Sequence, residues 1–84
     1  MDYMVKLHPK AAALLRRLPE PLAERIRQKL LDTASNPFQY LEHFAGQDVY
    51  KLRIGDYRAL IDVDFERNIL WVRVLDKRGR IYKR

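Results

Sequence analysis

The pattern of apolar and polar positions divides the chain into a helical half and a strand-forming half. Near the start, Tyr3, Val5 and Leu7 occupy every second position, which predicts a short first strand. Pro9 follows His8 directly, and its fixed φ suits the first position of a helix. The first strand is therefore expected to end at this point and to lead into a helix.

Residues 9–35 carry the spacing of two consecutive amphipathic helices. The apolar positions are Ala11, Leu14, Leu15 and Leu18 in the first helix and Leu22, Ile26, Leu30 and Ala34 in the second. Within each set these positions recur three or four residues apart, as on one face of an α-helix. Pro19 and Pro21 interrupt the period and Pro37 ends it, since proline disfavours the helical region for the residue before it. A helical hairpin is expected.

From residue 48 onward the apolar period changes to two, which is typical of strands. Four strands are expected, over residues 48–54, 57–64, 68–76 and 79–83. Gly55-Asp56 and Glu66-Arg67-Asn68 form short turns, so the consecutive strands should be antiparallel, with a break at Lys77-Arg78-Gly79. The predicted fold class is α+β: an N-terminal strand, a helical hairpin and a four-stranded antiparallel meander packed on the helices. Residues 1–84 are expected to form one domain.

The excess of basic side chains and its distribution along the chain indicate that the domain binds an anionic ligand. The chain has 17 Lys and Arg against 11 Asp and Glu, a formal net charge of +6. Residues 1–48 carry 7 basic and 6 acidic side chains, whereas residues 49–84 carry 10 and 5. A concentration of positive charge on one part of a small domain is typical of nucleic-acid binding, although a solvated arginine-rich surface fits the net charge equally well.

Two neighbouring strands place several of these charges together. In strand 48–54, Lys51 and Arg53 alternate with apolar residues, so one face packs on a core and the other is partly cationic. Arg58 follows the two-residue turn and is expected to lie across from Arg53. Like charges at such positions repel one another, so their combination favours an anionic partner.

Size and composition limit the alternatives. An 84-residue chain has one small core and little room for a deep cavity or a large cofactor, and it has no cysteine for a disulfide or a thiolate nucleophile. No apolar stretch is long enough to span a bilayer and no signal peptide is evident, so a cytoplasmic location is expected. Asp62 and Asp64 lack a third ligand nearby, so they are interpreted as solvated or as partners of Arg58 and Arg73, and no metal is predicted.

Histidines and the tryptophan are assigned structural roles. His8, at a strand end, and His43, in the connecting loop, are far apart in the sequence, and each alone favours a structural or exposed role. Glu42 beside His43 is a weak acid/base candidate. Trp71 lies midway along a predicted strand and is expected to pack in the core rather than to stack on a base.

Three segments resemble the RelE-type toxins of the RelE/ParE superfamily. They are Tyr50-Lys51-Leu52-Arg53, Gly55-Asp56-Tyr57-Arg58 and the C-terminal Arg78-Gly79-Arg80-Ile81-Tyr82. The order β-α-α-β-β-β-β matches as well, and the resemblance covers essentially the whole chain. It implies a toxin of a type II toxin-antitoxin system: a metal-independent and cofactor-independent endoribonuclease that cleaves mRNA on the ribosome and is held inactive by a cognate antitoxin.

The resemblance also implies which side chains act. The catalytic set carried over is Lys51, Arg53, Arg58, Arg78 and Tyr82, with Lys77, Arg80 and Lys83 as further RNA-binding residues. Lys51 is the member of this set that can readily lose a proton, because a guanidinium stays charged. Arg78 would stabilise the phosphate and assist the leaving group, although Arg80 lies on the same side of an extended segment and either arginine fits the role. Tyr82 would stack on a base or orient the phosphate.

Three function classes follow. The first is an mRNA-cleaving toxin acting on the ribosome, favoured by the full basic set with Tyr82. The second is a ParE-like inhibitor of DNA gyrase, which binds protein and needs no phosphate-cleaving arrangement. The third is a catalytically weak relative that acts through binding its antitoxin.

Overall fold

The computed structural model describes residues 2–44 and 49–77, which form a five-stranded sheet with helices on one side. The elements are β1 (Met4–Leu7), α1 (Pro9–Arg17), α2 (Glu20–Ser35), α3 (Pro37–Tyr40), β2 (Glu42–His43), β3 (Val49–Ile54), β4 (Tyr57–Asp64) and β5 (Ile69–Lys77). The α+β class, the first strand and the helical hairpin are confirmed, and β3 to β5 follow the expected meander. The strand expected over residues 79–83 lies outside the described residues.

The sheet has the strand order β1-β5-β4-β3-β2. Neighbouring strands are antiparallel except β1, which pairs in parallel with β5 from Met4 opposite Ile69 to Leu7 opposite Val72. The intervening helices provide the long connection that a parallel pair needs. The short elements α3 and β2 were not expected, because four and two residues are too few for their periodicity to be recognised.

The core lies between α1, α2 and the inner face of the sheet. Its buried members are Ala11, Leu15, Ala23, Ile26, Leu30, Ala34, Leu52, Ile54, Tyr57, Ala59, Ile61, Leu70, Val72 and Leu75. These are alternate residues along most of the strands and every third or fourth residue along the helices, so the sequence periods are confirmed. Thr33 is also fully buried, and its hydroxyl donates to the carbonyl oxygen of Lys29 at 2.7 Å.

The opposite face of the sheet, called the open face here, carries no helix among the described residues. Trp71 lies on it, so the expectation that this residue packs in the core is wrong. The pairing of Lys6 with Trp71 shows why: both alternate with the inward-facing residues of β1 and β5. The Lys6 ammonium lies 5.3 Å from the centroid of the indole ring, and the ring of His8 lies 6.0 Å from it.

Two turns connect the meander. Gly55 in the β3–β4 turn has φ +58°, a left-handed conformation that glycine adopts without steric cost. In the β4–β5 turn Asn68 has φ 57°, and the Asp64 carboxylate accepts hydrogen bonds from the backbone N–H groups of Glu66 and Arg67, both at 3.0 Å. Asparagine tolerates this conformation better than most residues, so both turns follow from local sequence.

Candidate active site

Three basic residues lie close together on the open face near the β3–β4 turn. Arg53 pairs directly with Arg58 across the two strands, and Lys51 pairs with Leu60 one step further along. Lys51 is therefore a diagonal neighbour of Arg58, at a spacing that long side chains can bridge. The expected placement of these three residues on one face is confirmed, and they are called the basic patch below.

Members of the basic patch differ in exposure. Arg53 is exposed and Lys51 is half-buried, whereas Arg58 is only 3% exposed. One terminal nitrogen of the Arg58 guanidinium donates to the carbonyl oxygens of Gly55 and Tyr57, both at 2.9 Å. Arg58 is thus a buried member of the cationic face, because its side chain folds back onto the turn.

Two carboxylates stand opposite basic residues in the sheet register. Glu42 in β2 pairs with Lys51, and Asp76 in β5 pairs with Arg58. A half-buried carboxylate beside a buried arginine offsets part of the electrostatic cost of that burial. Sequence reasoning missed both neighbours, since the pairing of β2 with β3 and the register of β5 cannot be read from local periodicity.

Asp62 and Arg73 form an ion pair, which is one of the expected outcomes for these residues. The Arg73 Nε lies 3.2 Å from an oxygen of the Asp62 carboxylate, and both side chains are substantially exposed. A shift of register between Leu60 and Ile61 leaves Arg73 without a direct strand partner. Asp64 contacts Arg67 instead, so the two carboxylates take separate partners. Neither is paired with Arg58 in the strand register, which the sequence interpretation had allowed.

The C-terminal members of the expected site are only partly described. Lys77 is exposed and pairs with Tyr57, whose side chain lies on the inner face, so the structure does not place Lys77 beside the basic patch. Arg78, Arg80, Tyr82 and Lys83 lie outside the described residues. Their contribution to the site therefore remains a prediction from the resemblance.

Neither histidine joins the basic patch. His8 lies near Trp71 at the β1 side of the sheet, and His43 packs edge-on against Tyr50 with 5.2 Å between the ring centroids. Within residues 2–44 and 49–77, no three histidine or acidic side chains converge as metal ligands would. The described residues thus offer basic groups, rather than a histidine pair or a metal cluster, for any chemistry at this face.

An apolar hollow of about 480 Å³ lies next to the basic patch on the open face. It is lined by His8, Phe44, Val49, Leu60, Arg73 and Val74. Sequence reasoning did not foresee it, although the apolar residues Val49, Leu60 and Val74 lie on the same face as Lys51, Arg53 and Arg58. Cations beside an apolar hollow suit a ligand that combines phosphate with a base.

None of the helices in the described chain has the length and hydrophobicity needed to span a bilayer.

Comparison with curated proteins gave no match. Solved structures do match. The RelBE2 toxin–antitoxin complex of Mycobacterium tuberculosis aligns with a TM-score of 0.83 and 21% identity, covering 93% of this chain and all of that one.

Two further complexes show the same similarity at slightly higher identity. The archaeal RelE–RelB complex of Pyrococcus horikoshii gives a TM-score of 0.77 and 26% identity over 95% of this chain and 99% of that chain. The intact RelBE toxin–antitoxin complex of E. coli gives 0.74 and 25% over 90% and 96%. The family model described as the ParE toxin of the type II toxin–antitoxin system parDE matches residues 5–82. With this match across nearly its whole length, the chain belongs to the RelE/ParE superfamily of type II toxins.

Proposed function

We propose that this toxin is a ribosome-dependent endoribonuclease that cleaves mRNA and so halts translation. The observation that carries the proposal is the direct pairing of Arg53 with Arg58 on the open face, with Lys51 beside them. Two guanidinium groups and an ammonium within one small patch provide the positive charge that stabilises the transition state of phosphate cleavage. The likeness to RelE structures supports the same assignment.

Cleavage of RNA by its own 2′-hydroxyl requires three things of the enzyme. The hydroxyl must lose a proton, the pentacovalent phosphate needs compensation for its added negative charge, and the 5′-oxygen must gain a proton as it leaves. We assign the first role to Lys51. Arg53 and Arg58 take the second role, with Arg58 held in place by its hydrogen bonds to the turn.

Residues from the C-terminal segment complete the proposed site. Arg78, or alternatively Arg80, stabilises the phosphate and the charge on the leaving 5′-oxygen, which takes its proton from water, and Tyr82 stacks on a base or orients the phosphate. Lys77 and Lys83 contribute charge for RNA binding. These roles rest on the superfamily resemblance of the segment Arg78-Gly79-Arg80-Ile81-Tyr82.

The shape of the described surface supports a requirement for the ribosome. The basic patch lies on a sheet face, and the adjoining hollow is open rather than enclosed. Such a surface holds substrate weakly, so the geometry of the reacting atoms must be fixed by a second body, which here is the ribosome with its bound mRNA.

A cognate antitoxin is the proposed regulatory partner. The similar structures from M. tuberculosis, P. horikoshii and E. coli are toxin–antitoxin complexes. The net charge of +6 on this toxin favours an acidic antitoxin segment that covers the basic patch or displaces the residues around it.

The second candidate function is inhibition of DNA gyrase. It is favoured by the family model, which carries the name of the ParE toxin. Such an inhibitor binds a protein and has no use for a preorganised phosphate site. A third possibility, a catalytically weak relative that acts only through its antitoxin, predicts neither cleavage nor gyrase inhibition.

One experiment separates these three functions. Purified toxin is added to a reconstituted translation reaction, and the mRNA is mapped by primer extension; parallel reactions omit the ribosomes or replace them with gyrase and relaxed plasmid. Site-specific cuts that need ribosomes support the proposal. Loss of supercoiling without cuts supports gyrase inhibition, and neither effect supports the catalytically weak relative. Efficient specific cutting of naked RNA would contradict the requirement for the ribosome.

A further inference from the structure

A groove that contains Arg25, Lys29 and Arg53 lies at the β3 edge of the sheet, next to the basic patch. It has a volume of about 540 Å³ and runs between α2 and the β3–β4 turn. Its lining residues are Pro21, Glu24, Arg25, Gln28, Lys29, Asp32, Arg53, Ile54 and Gly55. The groove exists because β2 is so short: it pairs only with Tyr50 and Lys51, and among the described residues no strand covers the edge of β3 beyond them.

Arg25 reaches across this groove to the turn. A terminal nitrogen of its guanidinium lies 3.3 Å from the position that a Cβ on Gly55 would occupy. The absence of a side chain at Gly55 therefore lets the guanidinium approach the turn backbone. Arg53, two residues earlier, lines the same groove, so cationic groups come to it from the helix and from the strand.

The acidic side chains of the groove have other partners. Glu24 accepts hydrogen bonds from Arg27 at 3.0 and 3.3 Å, and Asp32 accepts one from Gln28 at 3.0 Å. Arg25 and Arg53, by contrast, form no ion pair or side-chain hydrogen bond within residues 2–44 and 49–77. Exposed guanidinium groups that form no ion pair with nearby carboxylates are available to bind an external anion.

We infer that this groove binds a backbone phosphate of an RNA strand, with Arg25 and Arg53 as its ligands. Arg53 belongs to both the groove and the basic patch, so a strand seated in the groove continues directly onto the proposed active site. The choice of RNA as ligand rests on the proposed function. The polar lining supports it over an acidic peptide, because six of the nine lining residues are charged or amide side chains and offer few apolar pockets for peptide side chains.

The test compares Arg25→Gln with Arg16→Gln. Arg16 is an exposed arginine on α1 that lines no part of the groove, so both variants lose one positive charge. Binding of a fluorescein-labelled single-stranded RNA of roughly twelve nucleotides is measured by anisotropy between about 50 and about 200 mM salt. Thermal melting of both variants verifies that they are folded.

We expect Arg25→Gln to weaken binding and to reduce the steepness of log Kobs against log salt by about 0.7, the value for one phosphate contact on a single strand. Arg16→Gln should leave that slope unchanged. Equal slopes for the two variants, or no measurable RNA binding by the wild type, would overturn the inference. So would a result in which Arg25→Gln weakens binding of an octaglutamate peptide and leaves RNA binding intact.

Ribosome-dependent cleavage by the same proteins separates this inference from the proposed function. If the wild type cleaves no mRNA but the slopes differ as expected, the groove binds RNA and the proposed activity is wrong. If the wild type cleaves mRNA and the slopes are equal, the proposed activity stands and the groove inference fails.

Discussion

Arg53 and Arg58 are direct cross-strand partners, yet Arg53 is exposed and Arg58 is 3% exposed. The difference arises because the Arg58 guanidinium donates to the carbonyl oxygens of Gly55 and Tyr57, whereas Arg53 bonds to no described side chain. Arg58 thus stabilises the turn that presents Arg53. Its replacement should affect both folding and chemistry, and replacement of Arg53 should affect chemistry alone.

Arg53→Ala and Arg58→Ala should therefore differ in their effect on the stability of the fold. Both should lower the single-turnover cleavage rate on programmed ribosomes by about 10²- to 10³-fold, because each removes a preorganised donor. Arg58→Ala should in addition lower the free energy of unfolding by about 1–3 kcal/mol, since it empties a buried, hydrogen-bonded position. Urea denaturation measures this difference. Wild-type cleavage by both variants would place the active site elsewhere.

Lys51→Arg tests whether Lys51 transfers a proton. A guanidinium keeps the charge but does not act as a base, so the variant should lose about 10²- to 10⁴-fold in single-turnover rate, as much as Lys51→Ala does. Near-normal cleavage by Lys51→Arg would contradict this role and would show that Lys51 contributes only positive charge.

Gly55→Ala should destabilise the protein by about 1–2 kcal/mol, the cost of a left-handed conformation for a residue with a side chain. The nearby Arg25 guanidinium is a flexible group and can move away from the new methyl group. The penalty should therefore persist in an Arg25→Ala background. Asp56→Ala, at the neighbouring exposed position without a positive φ, is the matched control and should change stability little. A chemical denaturation series on these variants measures the effects.

Asp64 should make stability depend on pH in the acidic range. Hydrogen bonds from the backbone N–H of Arg67 and then of Glu66, together with the charge of Arg67, hold the pKa of this carboxyl below its ordinary value of 3.8. A lowered pKa in the folded state means that the carboxylate stabilises the fold above that value and that this contribution is lost as the pH falls through the folded pKa. The wild type should thus be more stable than Asp64→Asn at pH 7, and the gap should narrow in acid. A gap that is independent of pH would contradict this account.

Much of the fold follows from local sequence. The alternation around Gly55-Asp56 fixes the hairpin register so closely that the position of Arg53 opposite Arg58 follows from the sequence alone, because a two-residue turn leaves no other pairing. The end of the second helix after Ala34 is equally predictable from the sequence, because Pro37 disfavours a helical conformation for the residue before it.

What could not be predicted depends on contacts between distant parts of the chain. The size and apolar character of Trp71 favour the core, but its face is set by the pairing of β5 with β1, which local alternation does not reveal. The burial of Arg58 is a second example. Its position in the strand is predictable, whereas the direction of its long side chain depends on carbonyl groups that only the folded turn presents.

The parallel pairing of β1 with β5 also sets an order of events during folding. Met4 and its partner Ile69 are separated by 64 residues, so this contact closes one of the longest loops in the domain. The β3–β4 hairpin needs only a two-residue loop and can form early. We therefore expect the hairpin that carries Arg53 and Arg58 to form before the sheet is closed by its N-terminal strand, and closure to be the slower, entropy-limited step.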